Sequence, residues 1–303
     1  MSANSDYCRQ MRLSIIQNWA KTGVQEPREL LPAEHDFRER LNEASIVFKP
    51  VPLADDLDLN YRREIGYLID AFDALPMRPD FAFESTWKAF EAEMRVHNPN
   101  AVITDRLNEL VKQADDEIVI ELSKGVPLQA CEYLFKALVP DYNNNRNWSE
   151  VNRINSIAEK NGQLDSLFSY MRREFSKSGA SESREGALLL RHALRGRSVH
   201  MGDEHLPPLK IKARSYLLIV LYLYSVRNDR YHGDFSSPFI SSVAKARTYT
   251  LPYHSFLVAY YMLLEIWLRK RPKVVCGGKD RVLKSISENL QYMEELFHHN
   301  WNH

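Results

Sequence analysis

Two stretches of the chain set hard limits on its fold. Residues 209–226 (LKIKARSYLLIVLYLYSV) lose their polar face in the second half, and the run opened by Pro252 (PYHSFLVAYYMLLEIWLRKR) is apolar nearly all round until its cationic last turn. Both are too long for strands, and a helix without a polar face has to be enclosed by other elements. They read as internal helices of a bundle, and the terminal Arg269, Lys270 and Arg271 match the negative end of the second helix's dipole.

Amphipathic helices precede and follow them. Residues 61–75 place Ile65, Leu68, Ile69 and Phe72 on one stripe, and in the helix opened by Asp80 the residues Phe83, Trp87, Phe90 and Met94 recur at i, i+4, i+7 and i+11. Helical periodicity also covers 104–124, 127–139 with proline in the first turn, 149–160, 164–175 and 184–194, and Ser5 or Asp6 is placed to cap a helix running to Trp19. The closing stretch 279–297 repeats Val282, Ile286, Leu290, Met293 and Phe297 on one face. Strand-like alternation is nearly absent and glycine is scarce, at 11 in 303 residues, so an all-α fold is expected. The polar run 176–183 (SKSGASES) is the most linker-like stretch and divides an N-terminal helical region, 1–183, from a C-terminal helical domain, 184–303, with 61–96 able to pack into the latter's core.

Charge supports that division. Lys+Arg 40 and Asp+Glu 40 balance overall, yet 1–183 carry 22 basic and 30 acidic residues, 184–284 carry 18 and 7, and 285–303 carry none and 3. A basic segment of that size fits a polyanion, or else the acidic half of this chain or of a partner subunit. The three cysteines, Cys8, Cys131 and Cys276, stand far apart in no paired spacing, which points to reduced thiols. No apolar signal core or bilayer-length apolar run is found, so a cytoplasmic protein with no membrane association is expected.

Between the two internal helices lies Arg227-Asn228-Asp229-Arg230-Tyr231-His232-Gly233-Asp234. A charged segment with a histidine at the mouth of an apolar core is a natural place for a titratable group. Arg-x4-His alone is uninformative: about one occurrence is expected by chance, and Arg195 with His200 is a second. Asn directly after the arginine and Gly after the histidine make the 227–233 segment far rarer.

With its flanking helices this segment resembles the Arg-Asn-x3-His signature of the HEPN superfamily, all-α proteins that include ribonucleases of toxin–antitoxin, abortive-infection and CRISPR-linked defence systems. The resemblance covers 209–271 and extends to 61–94 as an earlier helix pair, making 97–208 an insertion. It implies a metal-independent endoribonuclease without cofactor, with Arg227, Asn228 and His232 as catalytic residues and a homodimer completing a composite site. A toxin or antiviral-defence role held in check by an inhibitor or antitoxin is implied as well. Family members controlled by tyrosine adenylylation carry Tyr two residues after the histidine; here Asp234 stands there, so the resemblance does not imply that control.

Chemistry makes independent sense of these residue types. RNA cleaves when its 2′-hydroxyl is deprotonated and attacks the adjacent phosphate, leaving a 2′,3′-cyclic phosphate and a 5′-hydroxyl, and this needs a base, an acid and a cation. His232 supplies proton transfer near neutral pH, and Arg227 presents a planar donor fork to phosphate oxygens. Asn228 can orient the histidine or hold a phosphate oxygen without repelling the substrate. In an unbroken helix positions 227 and 232 diverge by about 140°, so a helix end or loop between them is expected, with Gly233 able to provide the terminus. Alternatively Arg227, Asp229 and Arg230 form a surface ion-pair network and the chain is a catalytically silent helical module that binds RNA or protein.

Arg230, Lys245, Arg247 and the cluster Arg269, Lys270, Arg271, Lys273 are further candidates for phosphate contacts, or else solvated helix ends. Tyr231, Phe235 and Phe239 are candidates for stacking on unpaired bases, with core packing as the alternative. His200-Met-Gly-Asp-Glu-His205 gathers imidazoles and carboxylates but matches no standard metal spacing, and Gly277-Gly278-Lys279 lacks the spacing of a P-loop, so no metal site is assigned.

Overall fold

The computed structural model describes residues 30–44, 46–139, 148–175, 180–232, 246–298 and 301, together with 7, 10, 11 and 13–16 near the N-terminus. In chain order the helices are α1 (Pro32–Glu43), α2 (Leu59–Ala74), α3 (Pro79–His97), α4 (Ile103–Gln113), α5 (Asp116–Lys124), α6 (Leu128–Leu138), α7 (Trp148–Glu159), α8 (Gly162–Phe175) and α9 (Ala180–Leu194). A small antiparallel hairpin follows, β1 (Val199–Met201) and β2 (Glu204–Leu206). Helix α10 (Ile211–Ser215) widens into a π-helical stretch (Tyr216–Leu223) and narrows again as α11 (Tyr224–His232). A 3₁₀ turn (Ala246–Tyr249), α12 (Thr250–Lys270) and α13 (Gly278–Phe297) complete the described residues. The fold is all-α, and no described helix is long and apolar enough to cross a membrane.

Burial follows the apolar pattern. In α12 every residue from Thr250 to Trp267 is buried, so this helix is the axis of the molecule. Helices α2 and α3 form an antiparallel pair laid against it: Phe83, Trp87, Phe90 and Met94 are buried, and the Tyr61 ring meets Trp267 edge-on at 5.1 Å. On α2, Leu68 is buried and Ile65 and Phe72 are partly so, but Ile69 lies on the solvent side. Residues 216–223 are apolar at every position but the two tyrosines, and seven of the eight are buried. The Tyr222 hydroxyl, 2.8 Å from Ser255 Oγ, ties this stretch to α12.

Two further sequence expectations change. Residues 104–124 form two helices, because Asp115 accepts hydrogen bonds from the backbone N–H groups of Glu117 and Ile118 and so caps a new helix after Ala114. The β1–β2 hairpin appears where no strand was expected, because its two strands of three residues are too short for alternation to register. Across 176–183, where the sequence suggests a division, residues 176–179 lie outside the described residues and α9 begins at Ala180; the buried apolar residues form one cluster from Met11 to Trp301. Helix α3, from the acidic half, packs on α12, from the basic half, and α6 packs on α9.

Candidate functional site

Helix α11 carries the Arg227–His232 segment, and three neighbouring helices hold it. Arg153 of α7 donates from Nη2 to Ser225 Oγ at 2.6 Å, and Tyr133 of α6 donates to Asp229 Oδ2 at 2.5 Å. Toward α3, Arg230 donates from Nε to Glu84 Oε1 at 2.7 Å and lies 3.4 Å from Asp80 Oδ2. The Arg230 side chain is only 7% exposed, so its charge is matched by carboxylates inside the protein. It ties α11 to α3 and is not presented to a phosphate.

Arg227 has a different setting. One turn before Tyr231 on the same face, its guanidinium lies 4.1 Å from the centre of the Tyr231 ring, a cation–π contact, and Nη1 donates to Asn228 Oδ1 at 3.1 Å. Its carboxylate contact is loose, 3.6 Å to Glu91 Oε2, and Nε is buried with no hydrogen-bond partner among the described residues. The side chain is 21% exposed and Tyr231 is 56% exposed. Both line a cavity of about 510 Å³ whose other walls are Asn60, Arg63 and Tyr67 of α2 and Lys88, Glu91, Ala92, Arg95 and Val96 of α3. Arg227 is thus reached from solvent at a strongly cationic surface.

The helix runs unbroken through 227–232, so the break expected between Arg227 and His232 is absent. Their positions lie on faces about 140° apart, whereas Asn228 and position 232 are one turn apart on the same side. The His232 side chain, and Gly233, Asp234, Phe235, Phe239 and Lys245, lie outside the described residues.

The remaining candidates are dispersed. Arg247 pairs with Glu132 of α6. Arg269 makes a two-pronged contact with Glu265, at 2.6 and 2.9 Å, and Arg271 bridges Glu93 at 3.1 Å and Asp58 at 3.2 Å. Lys270 and Arg269 border a second cavity, of about 310 Å³, between α3, α4 and α12. Lys273 is exposed beyond α12. His200 and His205 are paired across the hairpin with ring centres 5.2 Å apart, and among the described residues no group of three or more His, Cys, Asp or Glu side chains is placed to hold a metal ion.

Sequence reasoning passed over Arg63, Lys88, Arg95 and Tyr67. The signal was present: Lys88 and Arg95 stand seven residues apart on α3, directly beside the apolar stripe, as Asn60 and Tyr67 do on α2. What the spacing does not reveal is that the two polar flanks meet each other and α11.

Behind this wall the α2–α3–α12 interface encloses carboxylates. Glu64 and Glu93 are fully buried; Glu64 accepts a long hydrogen bond from Trp267 Nε1 (3.3 Å), and Glu93 lies 3.0 Å from His97 Nε2. Burial first, and then the Glu93 charge beside it, pushes the Glu64 carboxyl up to about 8.

No family model, no curated protein and no solved structure matches this chain.

Proposed function

We propose that this protein is a HEPN-type, metal-independent endoribonuclease acting in a toxin or antiviral-defence role, as a homodimer with a composite active site. The observation that carries the reading is the presentation of Arg227: a guanidinium incompletely paired among the described residues, joined to the Asn228 amide, at a solvent-reached cationic wall on the helix that also carries position 232. In the reaction the 2′-hydroxyl gives its proton to one His232 and attacks the phosphorus. The P–O5′ bond breaks, and a second protonated imidazole returns a proton to the leaving 5′-oxygen. Arg227 neutralises the charge that grows on the phosphorane oxygens. Positions 227 and 232 diverge on one helix, which favours pairing of Arg227 from one subunit with His232 from the other.

A second reading rests on the Arg227–Glu91 contact: an arginine already near a carboxylate serves equally in a catalytically silent RNA- or protein-binding module. Incubation of purified protein with RNA in excess EDTA separates the two. Cleavage to 2′,3′-cyclic phosphate and 5′-hydroxyl ends is expected, falling at least about 100-fold in both Arg227→Ala and His232→Ala. Cleavage that survives both substitutions, or RNA bound and left intact by the wild-type chain, overturns the nuclease reading.

A further inference from the structure

Three of the cations around the larger cavity, Arg63, Lys88 and Arg95, come from the half of the chain whose acidic residues outnumber its basic ones 30 to 22. Among the described residues of the lining, they and Arg227 set four cations against one carboxylate, that of Glu91. That carboxylate is also shared: it accepts from Trp87 Nε1 at 2.8 Å and from Arg95 Nη2 at 3.1 Å, and it lies 3.6 Å from Arg227. Arg63 donates to the neutral Asn60 Oδ1 at 2.7 Å, and neither Arg63 nor Lys88 has an acidic partner among the described residues. Exposed cations are ordinarily scattered among carboxylates. Here they line one concavity of ligand size, with two tyrosines in its wall.

We infer that this cavity binds single-stranded RNA, Arg63, Lys88 and Arg95 taking backbone phosphates while Tyr231, backed on one face by Arg227, stacks an unpaired base. The inference rests on the reading of the chain as an RNA-handling protein and places substrate contacts on α2 and α3, outside the basic segment. Phosphates account for the excess of cations, and a partly exposed ring with a guanidinium on one face is a platform for a base. Unpaired bases can enter a cavity of about 510 Å³; those of a duplex are stacked and turned inward.

The test measures binding of a short, uncleavable 2′-O-methyl oligoribonucleotide of mixed sequence by fluorescence anisotropy over a range of salt. Arg63→Glu/Lys88→Glu is expected to weaken binding at least about tenfold and to flatten the salt dependence by about 1.4 in log–log slope, the loss of two phosphate contacts. Both positions are exposed, and the neutral pair Arg63→Gln/Lys88→Gln, expected to show the same direction at smaller size, guards against misfolding. Lys284→Glu, an equally exposed reversal on α13 outside the cavity, is the control. Affinity unchanged in the double variants, an equal loss in Lys284→Glu, or competition by poly-glutamate or by a free nucleoside diphosphate as effective as by RNA overturns the inference. Binding that depends on the cavity without cleavage of ordinary RNA sinks the nuclease reading alone; cleavage that ignores both double variants sinks this inference alone.

Discussion

Arg227 and Arg230 are neighbours one turn apart on α11 with opposite fates. Arg230 turns toward Asp80 and Glu84 on α3 and is 7% exposed; Arg227 turns toward the cavity and is 21% exposed. Removing the first leaves buried Asp80 with Arg78 as its remaining cation, at 2.8 Å, and strips a partner from Glu84. Arg230→Ala is therefore expected to cost about 3 kcal/mol of stability, and Arg227→Ala less than about 1 kcal/mol, read from urea unfolding. A comparable loss in both would mean that Arg227 is structural. Nothing in the local sequence separates the two arginines, because the distinction lies in which helix each one faces. The choice of Arg227 and Asn228 as residues set at a charged, accessible surface was legible from the segment itself; the intramolecular role of Arg230 was not.

At the scale of the element, close approach governs as much as pattern. Gly186 on α9 sits where an added Cβ would fall on the Phe135 ring of α6, whose backbone and side chain are buried. Gly186→Ala brings better helix propensity, worth about 1 kcal/mol, against overpacking of about 1–3 kcal/mol, so a lower thermal midpoint is expected, and a rise would show that Phe135 moves aside freely. The same logic explains what was readable along the chain. Stripes such as Val282, Ile286, Leu290, Met293 and Phe297 on α13 announce both the helix and its buried face. The break between α4 and α5 escapes periodicity because apolar spacing continues across it, and it depends on the Asp115 side chain turning back on two backbone N–H groups. The π-helical stretch also escapes it, since a run apolar at almost every position fits several helical periods equally.

The whole molecule responds to pH through two buried groups of opposite sign. His254, enclosed in the core with Nδ1 3.1 Å from the Tyr222 hydroxyl, is driven by burial from an ordinary 6.5 to about 3, so the folded protein holds it neutral where the unfolded chain protonates it. Its contribution is complete above 6.5 and is lost as pH falls, at about 1.4 kcal/mol per unit. Glu64 runs the other way: raised to about 8, it holds its proton in the folded state, and its contribution is lost as pH rises from the ordinary carboxyl range through 8. Between pH 7 and 5 the two contributions oppose each other, Glu64 gaining as His254 loses, so the urea midpoint of His254→Gln is expected to rise relative to that of wild type as pH falls; a constant difference between the two would reject the histidine as the cause. Assembly gives a second test. Mixing Arg227→Ala with His232→Ala chains gives mixed dimers with one Arg227 and one His232 but without the second imidazole, so no more than a trace of cleavage is expected, and recovery near the wild-type rate would mean that a single histidine serves as base and acid in turn.

The all-α class, the two enclosed helices and the buried stripes that wrap them follow from local pattern along the chain, because burial of an apolar face depends on local periodicity and little else. It also marked the Arg227–His232 segment as the charged interruption of an apolar core. Helix packing alone brings the two differently charged halves into one core, turns Arg230 onto Asp80 and Glu84, and sets Arg63, Lys88 and Arg95 around Arg227. Those facts concern residues more than 130 positions apart, and charge summed along a chain carries no information about which helices meet.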